Sequence, residues 1–132
     1  MTHRHPDDTP RAPRVLVVDD SSQLRRCVCR ALERAGLTVV GEAADGVQAL
    51  AQAASQRPDV VLMDLRMPRM DGIRATRALR AQHPGTPVVL WTADSDAHLG
   101  GAVREAGAHA GLPKGVCTAD LVATLRRICA AQ

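Results

Sequence analysis

Apolar and polar residues come in alternating blocks along this chain. Val15-Leu16-Val17-Val18 is a short apolar run that ends at Asp19-Asp20-Ser21-Ser22. From Ser22 to Ala35 the apolar residues Leu24, Val28, Ala31, Leu32 and Ala35 recur at helical spacing, with Ser21 or Ser22 as the cap and Gly36 as the stop. Leu37 to Ala43 reads as a second strand. Asp45-Gly46 opens a second helix with Val47, Leu50, Ala51 and Ala54 apolar, and Pro58 stops it. Asp59 to Met63 is a third strand that runs into Asp64. A third helix spans Gly72 to His83, with Ile73, Ala75, Thr76 and Leu79 toward the core; Pro84-Gly85 is a turn, and Pro87 to Thr92 is a fourth strand. Asp94 or Ser95 is placed to cap a fourth helix running to about Ala106. Ala108 to Leu112 is a short fifth strand, and Thr118 to Ala131 a last amphipathic helix.

Five strands alternating with five helices imply an α/β fold with a parallel sheet covered on both faces. The near-continuous apolar strands fit that burial. Right-handed crossovers and the flavodoxin-like strand order 2-1-3-4-5 are the natural solution, with the site at the switch point between strands 1 and 3. The fourth helix contains Gly100-Gly101, at roughly 1 kcal/mol per glycine relative to alanine, and is expected to be the weakest. Residues 1–13, with Pro6, Pro10 and Pro13 among polar residues, read as a disordered tail before a single domain over 14–132.

Composition narrows the function classes. The chain has 132 residues, enough for one domain with a real core, and Trp91 is its one aromatic residue, so that core is aliphatic. The net charge is +3. Its basic residues form short pairs such as Arg25-Arg26 and Arg126-Arg127, so direct nucleic-acid binding by this chain is not expected. No apolar stretch matches a membrane span or a signal peptide, which points to the cytoplasm. Cys27, Cys29, Cys117 and Cys129 form no C-x-x-C pair and read as reduced thiols in or near the core.

The predicted order brings five polar residues to one rim. Asp19 and Asp20 end the first strand, Asp64 the third and Thr92 the fourth, while Lys114 follows the fifth. Three adjacent carboxylates repel one another, and a hard divalent cation such as Mg2+ relieves that repulsion. A cation, an ammonium and a hydroxyl can all offset charge on a transferring phosphoryl group. Asp64 is then a sensible nucleophile. Among 17 basic residues Lys114 is the one lysine, and that exception suggests a need for a compact ammonium. Asp45 and Asp71 are explained as caps, Ser21 and Ser22 as caps, Met67 and Met70 as loop packing, and Trp91 as core filling.

This set of residues resembles the receiver domain of bacterial two-component response regulators. The resemblance rests on Asp19-Asp20, the run from Asp64 through Met67-Pro68-Arg69-Met70-Asp71-Gly72, Thr92-Ala93 and Lys114, and covers Arg14 to about Ala131. Gly41 to Gly46 and Arg57-Pro58-Asp59 look most like receivers of the NarL/LuxR type, which usually precede a helix-turn-helix DNA-binding domain. The resemblance implies that Asp64 accepts a phosphoryl group from a sensor histidine kinase or phosphotransfer protein. It implies Mg2+ held by Asp20 and Asp64, by Asp19 through water, and by the backbone carbonyl of Arg66. Thr92 and Lys114 then engage the phosphoryl group, and the fourth helix, fifth strand and fifth helix change their surface for partners, including homodimerisation. No separate substrate is turned over.

Two departures stand out. Gly111 occupies the strand-5 position where the family's switch has an aromatic side chain, so the change is expected to travel through the order of the Gly100-Gly101 helix. Lys114 is followed by Gly115 where many receivers have a cis-proline, which leaves that bond's isomer open. The alternative function is a receiver-fold interaction module acting without phosphorylation. A Mg2+-dependent phosphatase of the haloacid-dehalogenase type would carry a D-x-D on the first strand, whereas this chain has Asp19-Asp20-Ser21.

Overall fold

The structure is a computed structural model that describes residues 12–93 and 96–132. Its elements are β1 (Arg14–Val18), α1 (Ser22–Arg34), β2 (Thr38–Ala43), α2 (Gly46–Gln56), β3 (Val60–Asp64), α3 (Gly72–Gln82), β4 (Val88–Thr92), α4 (Asp96–Ala106), β5 (Ala110–Pro113) and α5 (Thr118–Ala130). All strand pairings are parallel, in the order β2-β1-β3-β4-β5. The expected flavodoxin-like topology is what forms.

Strand side chains alternate between two cores. Leu16, Val18, Val61, Met63, Val88 and Leu90 face α2, α3 and α4, which meet them with small residues such as Ala49, Ala53, Ala75 and Ala102. Val15, Val17, Val60, Leu62, Val89 and Trp91 face α1 and α5, which bring Val28, Leu32, Leu121, Leu125 and Ile128. β1, β3 and β4 are thus apolar at every core position because helices cover both faces of them.

Capping fixes where helices begin. Ser21 accepts from the Leu24 N–H, Asp45 from the Gln48 N–H and Asp71 from the Arg74 N–H. The expected caps of α4, Asp94 and Ser95, lie outside the described residues, as do residues 1–11 of the expected tail. Pro13 is tied to the sheet: its carbonyl accepts from the Thr38 N–H at 3.0 Å. β5 starts at Ala110, two residues later than the apolar pattern suggests, because the Ala108 N–H is still bonded to the end of α4, donating to the Val103 carbonyl at 3.0 Å. Pro113 sits on this edge strand, where its missing donor is tolerated. No cis peptide bond occurs among the described residues. Cys29 is buried and Cys129 half-buried, but Cys27 and Cys117 are exposed, contrary to the expectation of core thiols: Cys27 lies two helix positions off the buried Cys29 and Cys117 in the loop before α5.

Candidate functional site

Each acid is placed by the strand or turn beneath it. The Asp19 N–H donates to the Ala43 carbonyl at 3.0 Å, so the end of β2 holds the turn after β1. Asp19 then accepts from the Ser21 N–H at 2.9 Å through Oδ1. Asp64 ends β3 opposite Trp91 of β4. The loop after it is pinned back by Gly72, whose N–H donates to the Leu65 carbonyl at 2.9 Å. A β-carbon on Gly72 would stand 2.3 Å from the Asp64 carbonyl oxygen, so only glycine permits this approach.

The rim gathers as the topology predicts. Asp19, Asp64 and Thr92 are buried, and Asp20 is exposed at the mouth. Among the described residues, Asp19, Asp20 and Asp64 form a group whose carboxylate oxygens lie within 4.8 Å of one another. Lys114, whose own N–H donates to the Thr92 carbonyl at 2.8 Å, lays its ammonium 2.8 Å from Asp19 Oδ2 and 3.3 Å from Asp64 Oδ1. The same ammonium stands 5.1 Å from the centre of the Trp91 ring. The Arg66 N–H donates to Asp64 Oδ1 at 3.3 Å.

Electrostatics follow from this crowding. Burial, and then the Asp19 charge, push Asp64 up to about 6, with Lys114 and the Arg66 N–H pulling the other way. Burial opposes the charge on Lys114, but the two carboxylates outweigh it and hold its pKa above the ordinary lysine value. The donor set is all oxygen and acidic, which suits a hard cation: Mg2+ takes oxygens at about 2.1 Å and keeps several waters, and Asp20 is exposed to solvent.

The Asp45–Arg69 pair escaped sequence reasoning. The pattern predicts only a capping role for Asp45, which it fills, yet its second oxygen also pairs with the Arg69 guanidinium. Nothing in the spacing of residues 45 and 69 signals this contact.

A model of the response regulator receiver domain family matches residues 15–126. The response regulator GacA of Pseudomonas viridiflava is 40% identical over 120 residues, covering 90% of this chain and 56% of the relative. A protein-glutamate methylesterase/protein-glutamine glutaminase of Hahella chejuensis is 45% identical over 103 residues, 76% of this chain and 29% of the relative. The chain therefore spans about half, or less, of the length of these relatives. A NarL signal receiver domain from Mycobacterium tuberculosis superposes with a TM-score of 0.85 at 36% identity, covering 93% of this chain and all of that one. A LuxR-family response regulator from an Aurantimonas species gives a TM-score of 0.85 at 33% identity over 92% of this chain and 87% of its own.

Proposed function

The chain belongs to the response regulator receiver domain family of two-component signalling, and on that premise we propose that Asp64 is its phosphoryl acceptor. The donor is the phosphohistidine of a sensor histidine kinase or phosphotransfer protein. The observation that carries this reading is the Lys114 ammonium set between two buried carboxylates, Asp19 and Asp64. A structural ion pair needs one carboxylate. Two acids held around one lysine form a site whose excess negative charge favours a further cation.

Asp19, Asp20, Asp64 and the backbone carbonyl of Arg66 would hold Mg2+, which offsets charge on the transferring group. An Asp64 carboxylate oxygen attacks phosphorus while the phosphorus–nitrogen bond of the donor breaks, and the donor imidazole keeps that electron pair. Lys114 swings its ammonium from Asp64 to the new phosphoryl oxygens and remains paired with Asp19. The Thr92 hydroxyl, at the end of β4, donates to the same oxygens. Water later hydrolyses the acyl phosphate. The unit over 14–132 is cytoplasmic, turns over no separate substrate, and acts by binding: its α4-β5-α5 face takes a partner or a second copy. It contacts neither nucleic acid nor membrane itself. As the receiver part of a helix-turn-helix regulator it would pass the change to a DNA-binding domain.

Incubation with acetyl phosphate and Mg2+, followed by intact-mass measurement, tests this. The expected result is one added phosphoryl group on the wild type and none on Asp64→Ala or without Mg2+. An unlabelled wild type would leave the alternative, an interaction module working without phosphorylation. That alternative draws on Gly111, over which Leu99 and Val103 are packed.

A further inference from the structure

The segment Ala43-Ala44-Asp45, which joins β2 to α2, touches both halves of the proposed phosphorylation site. Its Ala43 carbonyl accepts from the Asp19 N–H at 3.0 Å and so fixes the turn that carries the acid pair. Two residues on, the buried Asp45 uses Oδ1 to cap α2, accepting from the Gln48 N–H at 2.9 Å, and Oδ2 to pair with Arg69. The Gln48 side chain returns the bond, accepting from the Ala44 N–H at 2.9 Å. The bracket is therefore rigid at its own base.

Arg69 lies in the loop after Asp64 and has φ +64. Among the described residues it shares positive φ, outside glycine, with Arg57 alone, and Arg57 is the ordinary left-handed C-cap of α2. A residue with a β-carbon adopts this conformation at a cost, and glycine would adopt it freely. What arginine adds is the guanidinium that reaches Asp45. The neighbouring contact points the same way. Met70 packs so closely on Gly46 that a β-carbon there would stand 2.8 Å from Met70 Cβ. The loop is thus clamped at Gly72 against β3 and at Arg69-Met70 against α2. Between those clamps and Asp64 lies Arg66, which donates to Asp64 Oδ1.

We infer that Asp45 and Arg69 are positioning residues for the metal and phosphoryl site, holding the loop so that the Arg66 backbone and the Asp64 carboxylate face the cation together. This inference rests on the phosphoacceptor reading above. Two variants isolate it. Arg69→Gly removes the guanidinium while keeping the left-handed turn comfortable. Asp45→Asn keeps a good helix cap but loses the charge.

The measurement is the rate of labelling by acetyl phosphate across a Mg2+ titration, with thermal melting alongside. Expected is a rise of about tenfold in the Mg2+ needed for half-maximal rate, the low end for outer-shell partners of a metal site, with the rate at saturating Mg2+ unchanged. The double variant should be no worse than either single one, because both break one contact. Arg69→Lys, which keeps a cation, should fall between. Wild-type half-saturation in both single variants would overturn the inference and leave the phosphoacceptor reading intact. A loss of melting temperature and limiting rate with half-saturation unmoved would also overturn it, since that is a purely structural role. A wild type that takes no label would sink both readings together.

Discussion

At the scale of single residues, Asp64 carries a conflict between chemistry and stability. Its carboxyl moves from 3.8 to about 6 in the fold because it is buried and faces Asp19. The folded state therefore binds this proton more tightly than the unfolded chain does. Without metal, stability should fall as pH rises from about 4 through 6, and stay low above that, by up to about 3 kcal/mol. Asp64→Asn removes the charge. It should stabilise the metal-free protein by about 1–2 kcal/mol near pH 7.5, and the gain should vanish near pH 4.5, where the wild-type carboxyl is itself neutral. Urea denaturation at the two pH values checks this; an asparagine variant that is the weaker protein at the higher pH would show that Lys114 outweighs the repulsion. Lys114 was legible in the sequence because it is one lysine among 17 basic residues, and a unique residue after a strand stands out. Arg69 was not legible, since its role depends on a backbone angle and on a partner 24 positions away.

At the scale of elements, α4 packs directly over Gly111 of β5, and the structure gives that glycine a meaning that its sequence position alone does not. A missing aromatic side chain reads as a vacancy. Here α4 has settled into the space instead: a β-carbon on Gly111 would meet Val103 Cγ2 at 2.7 Å and Leu99 Cγ at 2.8 Å. The helix that closes over β5 is also the one carrying Gly100-Gly101, and at Gly101 nothing lies within 4 Å of an added β-carbon. Gly101→Ala should then raise stability by about 0.5–1 kcal/mol through helix propensity alone. We expect amide exchange in α4 to change when wild type is phosphorylated, and to change less in Gly101→Ala, whose helix is ordered in both states. Equal protection of α4 with and without the phosphoryl group would remove this helix as the carrier. Helices α1, α2 and α3 were easier to read because Ser21, Asp45 and Asp71 are strong caps that do bond to the first turn. Strand ends were harder, since neighbouring elements set them, as α4 holds the Ala108 N–H and so delays the start of β5.

At the scale of the whole molecule, the order β2-β1-β3-β4-β5 separates the acid cluster from the output face proposed above. The acids gather at the central strands β1 and β3, while β5 is an edge, so any signal must cross β4 from Asp64 to the α4-β5-α5 surface. A phosphoryl group can shift a binding equilibrium only by as much as the two states differ in affinity. That difference must be made where the edge is soft. A groove of about 470 Å3 lined by Leu99, Gly100, Val103, Arg104, Gly111 and Pro113 lies there, over the same Leu99–Gly111 contact. Homodimers are mostly twofold, with one patch meeting itself, and this groove sets the Arg104 charge beside the apolar Leu99 and Val103. Acetyl phosphate with Mg2+ should therefore raise the dimer fraction of wild type in sedimentation velocity, and leave Asp64→Ala unchanged. Val103→Glu would put a charge into the groove, and should accept the phosphoryl group at the wild-type rate yet remain monomeric. If Val103→Glu dimerises as well as wild type, the interface lies on another face; if wild type is labelled and stays monomeric, the output is a different partner. Because labelling and sedimentation are read on the same sample, a failure of transfer and a failure of assembly give different results.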